Sequence, residues 1–110
     1  MSKITKNNKS ISVNNEKNRY YQEIMISLFG RIAFTAENLT KIVEKGKRNP
    51  ENYVKVYNAC DGEHTVSELA KIARVTQGTM TPILQKWEEE GIIFQVERTR
   101  GKFYKKLFPI

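Results

Sequence analysis

One cysteine, one histidine, three prolines and no apolar run near the ~20 residues of a bilayer span set the first limits on this 110-residue chain. Cys60 has no second thiol for an intrachain disulfide, which fits a reducing compartment. Cys60 and His64 supply one thiolate and one imidazole, short of the four ligands of a closed tetrahedral site, so neither a metal nor a cofactor is expected. The lone histidine has no nucleophile at a convincing spacing, and no glycine-rich phosphate loop opens a helix; an enzyme is therefore not expected. Met1 to Asn18 lacks the apolar stretch of a secretory leader, which predicts a cytoplasmic location, and no membrane partner is expected.

What the chain does have is a globular balance of 39% hydrophobic and 28% charged residues, enough for one domain with a modest core. Nineteen basic residues against twelve acidic ones give a net charge of +7, and the pI is near 9.6. A basic domain of this size suggests a polyanionic partner, nucleic acid ahead of a membrane surface. The excess is uneven: Arg98, Arg100, Lys102, Lys105 and Lys106 follow one another with no acid among them.

The chain divides into three parts. Residues 1–18 are polar, Asn-rich and aperiodic, and predict a flexible tail. Residues 19–48 predict two helices. In the first, Tyr21, Ile24, Met25, Leu28, Phe29 and Ile32 recur at spacings of three and four, with Tyr20, Ile26 and Phe34 widening the apolar surface. So apolar a helix is either wrapped by its successors or supplies a dimer interface. The second helix is capped by Thr35 and ended by Gly46. Residues 49–110 form the third part, opened by Asn49-Pro50-Glu51, a capping Asn with Pro and an acid behind it.

Within that part, Thr65-Val66-Ser67-Glu68 matches a capping box for a two-turn helix carrying Leu69, Ile72 and Ala73. Thr76 caps a longer helix, about 76–90, whose Met80, Ile83, Leu84 and Trp87 share one face and whose Gln77, Gly78, Thr81 and Gln85 share the other. A short helix, a tight turn and a longer helix describe helix-turn-helix geometry, in which the second helix reads the major groove. Gln and Thr suit adenine edges and thymine methyls. Pro82 interrupts this reading: either the helix bends there, or it begins later with Thr79 or Thr81 as its cap. Two strand-like segments, Ile92 to Glu97 and Lys102 to Phe108, then flank a turn at Arg98-Thr99-Arg100-Gly101. Phe94, Val96, Tyr104 and Leu107 are expected to pack the hairpin on the helices, and Arg98, Arg100 and Lys102 to gather at its tip, about 97–103. The same cations can also serve as an edge that blocks strand pairing.

Ser67-Glu68-Leu69-Ala70, Val75 to Thr81, Leu84 to Gly91 and the Arg-Gly-Lys turn together resemble the winged helix-turn-helix of ArsR- and MarR-type transcriptional regulators, over about residues 50–108. The resemblance implies a mainly α fold with a small β-hairpin, a winged helix-turn-helix with additional N-terminal helices. It also implies a homodimer that binds double-stranded DNA at a pseudo-palindromic site and regulates transcription. Carried over by position, Gln77, Thr79 and Thr81 would face the major groove or its flanking phosphates, and Thr76 and Gln85 of the same helix complete the expected DNA-binding set. Thr65 and Ser67 would lie near phosphates, and Arg98, Arg100 and Lys102 would form the wing. The competing expectation is a winged helix that docks protein, or a subunit of a larger nucleic-acid-handling complex.

Overall fold

The computed structural model describes residues 2–110, with side chains from residue 16 onward. Five helices are followed by one antiparallel hairpin: α1 Ser2–Ala33, α2 Ala36–Glu44, α3 Pro50–Ala59, α4 Val66–Ala73, α5 Gln77–Glu89, β1 Ile93–Arg98 and β2 Gly101–Lys106. Local chemistry accounts for most of the boundaries. Thr35 Oγ1 accepts the Asn38 amide at 3.1 Å and starts α2. Thr65 and Glu68 close a reciprocal box, with Thr65 N–H donating to Glu68 Oε1 at 2.8 Å and Glu68 N–H to Thr65 Oγ1 at 3.1 Å. At the end of α5, Gly91 adopts φ +81°, its amide donates to Glu88 O and the Ile92 amide reaches Trp87 O. This 6→1 and 5→2 pair is a Schellman ending, with Ile92 buried as its hydrophobic contact.

Two expectations change. The first helix does not begin at Arg19: it runs from Ser2, through the segment expected to be a polar tail, of which Met1 lies outside the described residues. No proline or glycine occurs between Ser2 and Phe29, and each residue added to an existing helix gains a hydrogen bond without a new nucleation cost. Asn49 is the residue before α3, yet its side chain makes no capping bond; Pro50 at the first position fixes the start instead.

The topology is that of a winged helix. Helices α3, α4 and α5 enclose a core of Tyr57, Leu69, Met80, Leu84 and Trp87, closed below by Ile92, Ile93, Leu107 and Phe108. Tyr57 stacks edge-on against Trp87 at 6.0 Å and donates its hydroxyl hydrogen bond to Ile92 O; burial pushes its pKa up to about 12. Burying a side chain such as Leu84 contributes roughly 1.5–3 kcal/mol. The hairpin pairs Val96 with Phe103 and Glu97 with Lys102 around the two-residue turn Thr99-Arg100. Its second edge is not bare. The Cys60–Gly62 segment between α3 and α4 runs beside β2, with Gly62 N–H donating to Tyr104 O and Lys106 N–H to Cys60 O. Expected packing residues Val96 and Leu107 are buried, and Phe94 and Tyr104 half-buried; Phe103, not anticipated, is buried as well.

Helix α1 lies across the hairpin rather than inside the helical core. It comes close to the domain at Gly30, where a Cβ would stand 2.9 Å from Leu107 Cβ. At about 100° per residue, Glu23, Ser27 and Gly30 share the side facing the domain, and Tyr21, Met25, Leu28 and Ile32 lie about 180° away. That outward side is uncovered. Tyr20, Tyr21, Ile24, Met25, Ile26, Leu28, Phe29 and Ile32 are all exposed, Ile32 to 82%.

Candidate nucleic-acid interface

Helix α5 begins where Thr76 caps it: Thr76 Oγ1 accepts the Thr79 amide at 3.2 Å, and the two hydroxyls meet at 3.0 Å. Pro82 therefore sits inside the helix rather than before it. Its missing N–H leaves the Gly78 carbonyl without the i−4 hydrogen bond a helix normally supplies. The buried side of α5 is Met80, Leu84 and Trp87, so the ridge standing farthest from the core is Gly78, Pro82, Gln85 and Glu89. This ridge is nearly bare. A glycine and a proline let a groove approach the backbone closely, and no acid precedes Glu88.

The expected reading residues divide accordingly. Gln77 and Gln85 are exposed, and neither side chain is hydrogen-bonded among the described residues. Thr76 and Thr79 are exposed with hydroxyls engaged in the cap. Thr81 is half-buried, and its hydroxyl donates to Gln77 O at 2.9 Å, so it is turned onto its own helix. Thr65 and Ser67 are exposed at the start of α4, with the Thr65 oxygen committed to the capping box.

The wing needs a larger correction. Arg98, Arg100 and Lys102 do not gather at the tip as three free cations. Arg98 turns onto α1 and grips Glu23 through both terminal nitrogens, Nη1 to Oε2 at 3.2 Å and Nη2 to Oε1 at 3.1 Å. Lys105 Nζ reaches the same Oε1 at 3.1 Å, and Glu63 Oε1 stands 3.7 Å from Arg98 Nε. The Glu23 side chain is only 13% exposed and that of Arg98 27%. Burial alone would raise the Glu23 pKa, but hydrogen bonds from Arg98 and Lys105 outweigh it and hold the carboxyl below its ordinary range. Arg100 stays largely in water, 5.3 Å above the Phe103 ring and 3.5 Å from Glu63 Oε2. Only Lys102 of the three is exposed with no ion pair among the described residues. It lies on the hairpin face shared with Gln95, which donates to Glu88 of α5 at 3.4 Å.

Sequence reasoning missed Glu23 and Glu63 as the acids that neutralise the wing. The signal in the sequence was an acid set among the apolar residues of the first helix. Neither Cys60 nor His64 is arranged for a metal. Cys60 is buried with its thiol pushed up to about 12 by burial, and His64 Nδ1 lies 2.9 Å from Asp61 Oδ1. Among the described residues no group of three or more His, Cys, Asp or Glu could hold a metal ion, and no helix is long and apolar enough to cross a membrane. In comparisons with known proteins, no family model, no curated protein and no solved structure matches this chain.

Proposed function

We propose that the chain is a sequence-specific regulator of transcription, a binding protein rather than an enzyme, that engages duplex DNA as a homodimer. The observation that carries this reading is the outward side of α5: a nearly bare ridge of Gly78, Pro82 and Gln85, uncharged until Glu89, with Gln77 exposed and unengaged at the start of the helix, set in a winged-helix frame with Lys102 and Arg100 on the hairpin. A bare ridge admits a helix deep into a major groove, and two free amides can each pair with an adenine edge. The triple acid Glu88-Glu89-Glu90 keeps the C-terminal end of α5 away from phosphates, so the helix enters by its N-terminal half.

The dimer reading rests on α1. Eight large apolar side chains of one helix exposed together exceed what a lone soluble domain ordinarily leaves in water. Pairing of two outward α1 sides about a twofold axis covers Tyr21, Met25, Leu28 and Ile32, with Ile24 and Phe29 at the margins. A palindromic site would require the two copies of α5 to stand about 34–36 Å apart.

Selection from random duplexes tests the whole reading: an enriched pseudo-palindrome is expected. Light scattering should give about 25.6 kDa, twice the chain mass of 12.8 kDa, and Leu28→Glu should halve it. If no duplex binds at low salt, the exposed aromatics of α1 make a protein-docking winged helix the better reading.

A further inference from the structure

A cluster of cations without ion pairs stands on the other side of α5. The connector between α2 and α3 carries Lys45, Lys47 and Arg48, and the turn between α4 and α5 carries Arg74. Although about 27 residues apart, Lys47, Arg48 and Arg74 line one open groove of about 320 Å³, floored by Tyr53, Ala73 and Val75. Lys86 of α5 does not line the groove but is close enough for its charge to repel Lys47. Among the described residues none of Lys47, Arg48, Arg74 or Lys86 has a carboxylate within ion-pair distance.

Of these side chains, that of Lys47 is held in place. Lys47 Nζ lies 5.3 Å over the Tyr53 ring and donates to Lys45 O at 3.2 Å. Burial and the repulsion of Lys86 lower its pKa, against a smaller opposing pull from Glu90. Arg74 occupies the one left-handed non-glycine position among the described residues, φ 59° and ψ 41°, where its amide caps α4 through Ala70 O and Lys71 O. Glycine or asparagine would fill that position with less strain, so backbone geometry does not explain a guanidinium there. Its place is two residues ahead of the cap of α5, beside the ridge that faces outward.

We infer that this groove is a second backbone-binding site, in which Lys47, Arg48 and Arg74, backed by Lys86, take the phosphodiester oxygens of the duplex strand opposite the one beside the wing. It rests on the DNA reading above and deepens it: α5 in the major groove is gripped on both flanks, and the flank away from the wing supplies more of the unpaired charge. Adjacent cations that repel one another release that repulsion when a phosphate arrives, which is the sign expected of a site built for an anion.

The test uses the full chain and a labelled nonspecific duplex, with affinity followed across a salt series. Three variants are compared with the wild type: Lys47→Gln/Arg48→Gln/Arg74→Gly, the wing pair Arg100→Ala/Lys102→Ala, and Lys41→Ala as an outlying control. Arg74→Gly favours the left-handed turn, so the triple variant keeps its fold, which far-UV circular dichroism verifies. The triple variant should bind on the order of tenfold or more weakly, and its log–log salt slope should flatten by about 0.9 for each phosphate it no longer neutralises. A fourth variant that keeps both charges, Lys47→Arg/Arg48→Lys, should retain wild-type affinity and slope. A triple variant with unchanged affinity and slope, beside a wing pair that loses both, overturns the second site and leaves the DNA reading standing. A wild type that binds no duplex at low salt overturns the DNA reading, and this site with it.

Discussion

The two flanks of α5 carry similar numbers of cations and use them in opposite ways. On the wing flank, Arg98 and Lys105 are committed to Glu23 and Arg100 leans on Glu63. On the connector flank, Lys47, Arg48, Arg74 and Lys86 have no carboxylate within ion-pair distance among the described residues. A cation already paired must release its carboxylate before it can take a phosphate, and the exchange returns little net energy. An unpaired one offers its whole attraction. Charge counted along a sequence is therefore a poor guide to charge available at a surface.

The largest effect is expected from removing the acid that holds the wing. Glu23→Ala should lower stability by about 2 kcal/mol, since it strands Arg98 and Lys105 side by side in a half-buried position. The same variant should steepen the salt dependence of DNA binding, by up to about 0.9 for each cation set free. Chemical denaturation and a salt series read the two effects separately. If stability falls while the slope stays fixed, the wing cations lie out of reach of DNA whether or not they are paired.

Acid should do reversibly part of what that substitution does. The Glu23 carboxyl is held below its ordinary value of 4.5 in the folded chain. Its contribution is therefore fully present above about pH 4.5 and is lost as pH falls through the folded value. Asp61 titrates in the same sense: burial opposes ionisation, but His64 and the amides of Glu63 and His64 hold its carboxyl low. The melting temperature of the wild type should drop below pH 4.5 more steeply than that of Glu23→Ala.

A smaller effect is expected at the other flank. Arg74→Gly alone should raise stability by about 0.5 kcal/mol, because it relieves a left-handed non-glycine residue, while weakening DNA binding. A gain in one property with a loss in the other is what a strained functional residue gives. Smallest of all, Lys41→Ala removes only an exposed i,i+4 pair with Glu37 at 3.3 Å and should cost about 0.3 kcal/mol with no change in salt slope.

What the sequence made legible follows the range of the forces involved. Thr35, Thr65 with Glu68, Thr76 and Gly91 act on residues three or four places away, and each element they bound is where local chemistry puts it. The two-residue turn at Thr99-Arg100 is local in the same sense. The partners of the wing are not: Arg98 and Glu23 are 75 residues apart, and Lys105 and Glu23 are 82. No short window along the chain contains both members. The Cys60–Gly62 strip beside β2, and the meeting of the α2–α3 connector with the α4–α5 turn, were hidden for the same reason. Thr81 misled because its spacing on the helix is that of a groove residue, while its hydroxyl has a nearer acceptor one turn back.

Gly30 gives the N-terminal helix a fulcrum. Leu107 leaves no room there for even a methyl group, so α1 cannot slide by a turn without driving Ile26 or Phe34 into the same spot. It can still rock. Seven residues from that pivot, about 10 Å along the axis, sits Glu23, with the wing in its grasp. A rocking motion of about 10° shifts that carboxylate by roughly 2 Å, more than two bidentate hydrogen bonds tolerate. A tilt of the rod would therefore be felt at the hairpin, and what sets the pivot is a single absent side chain.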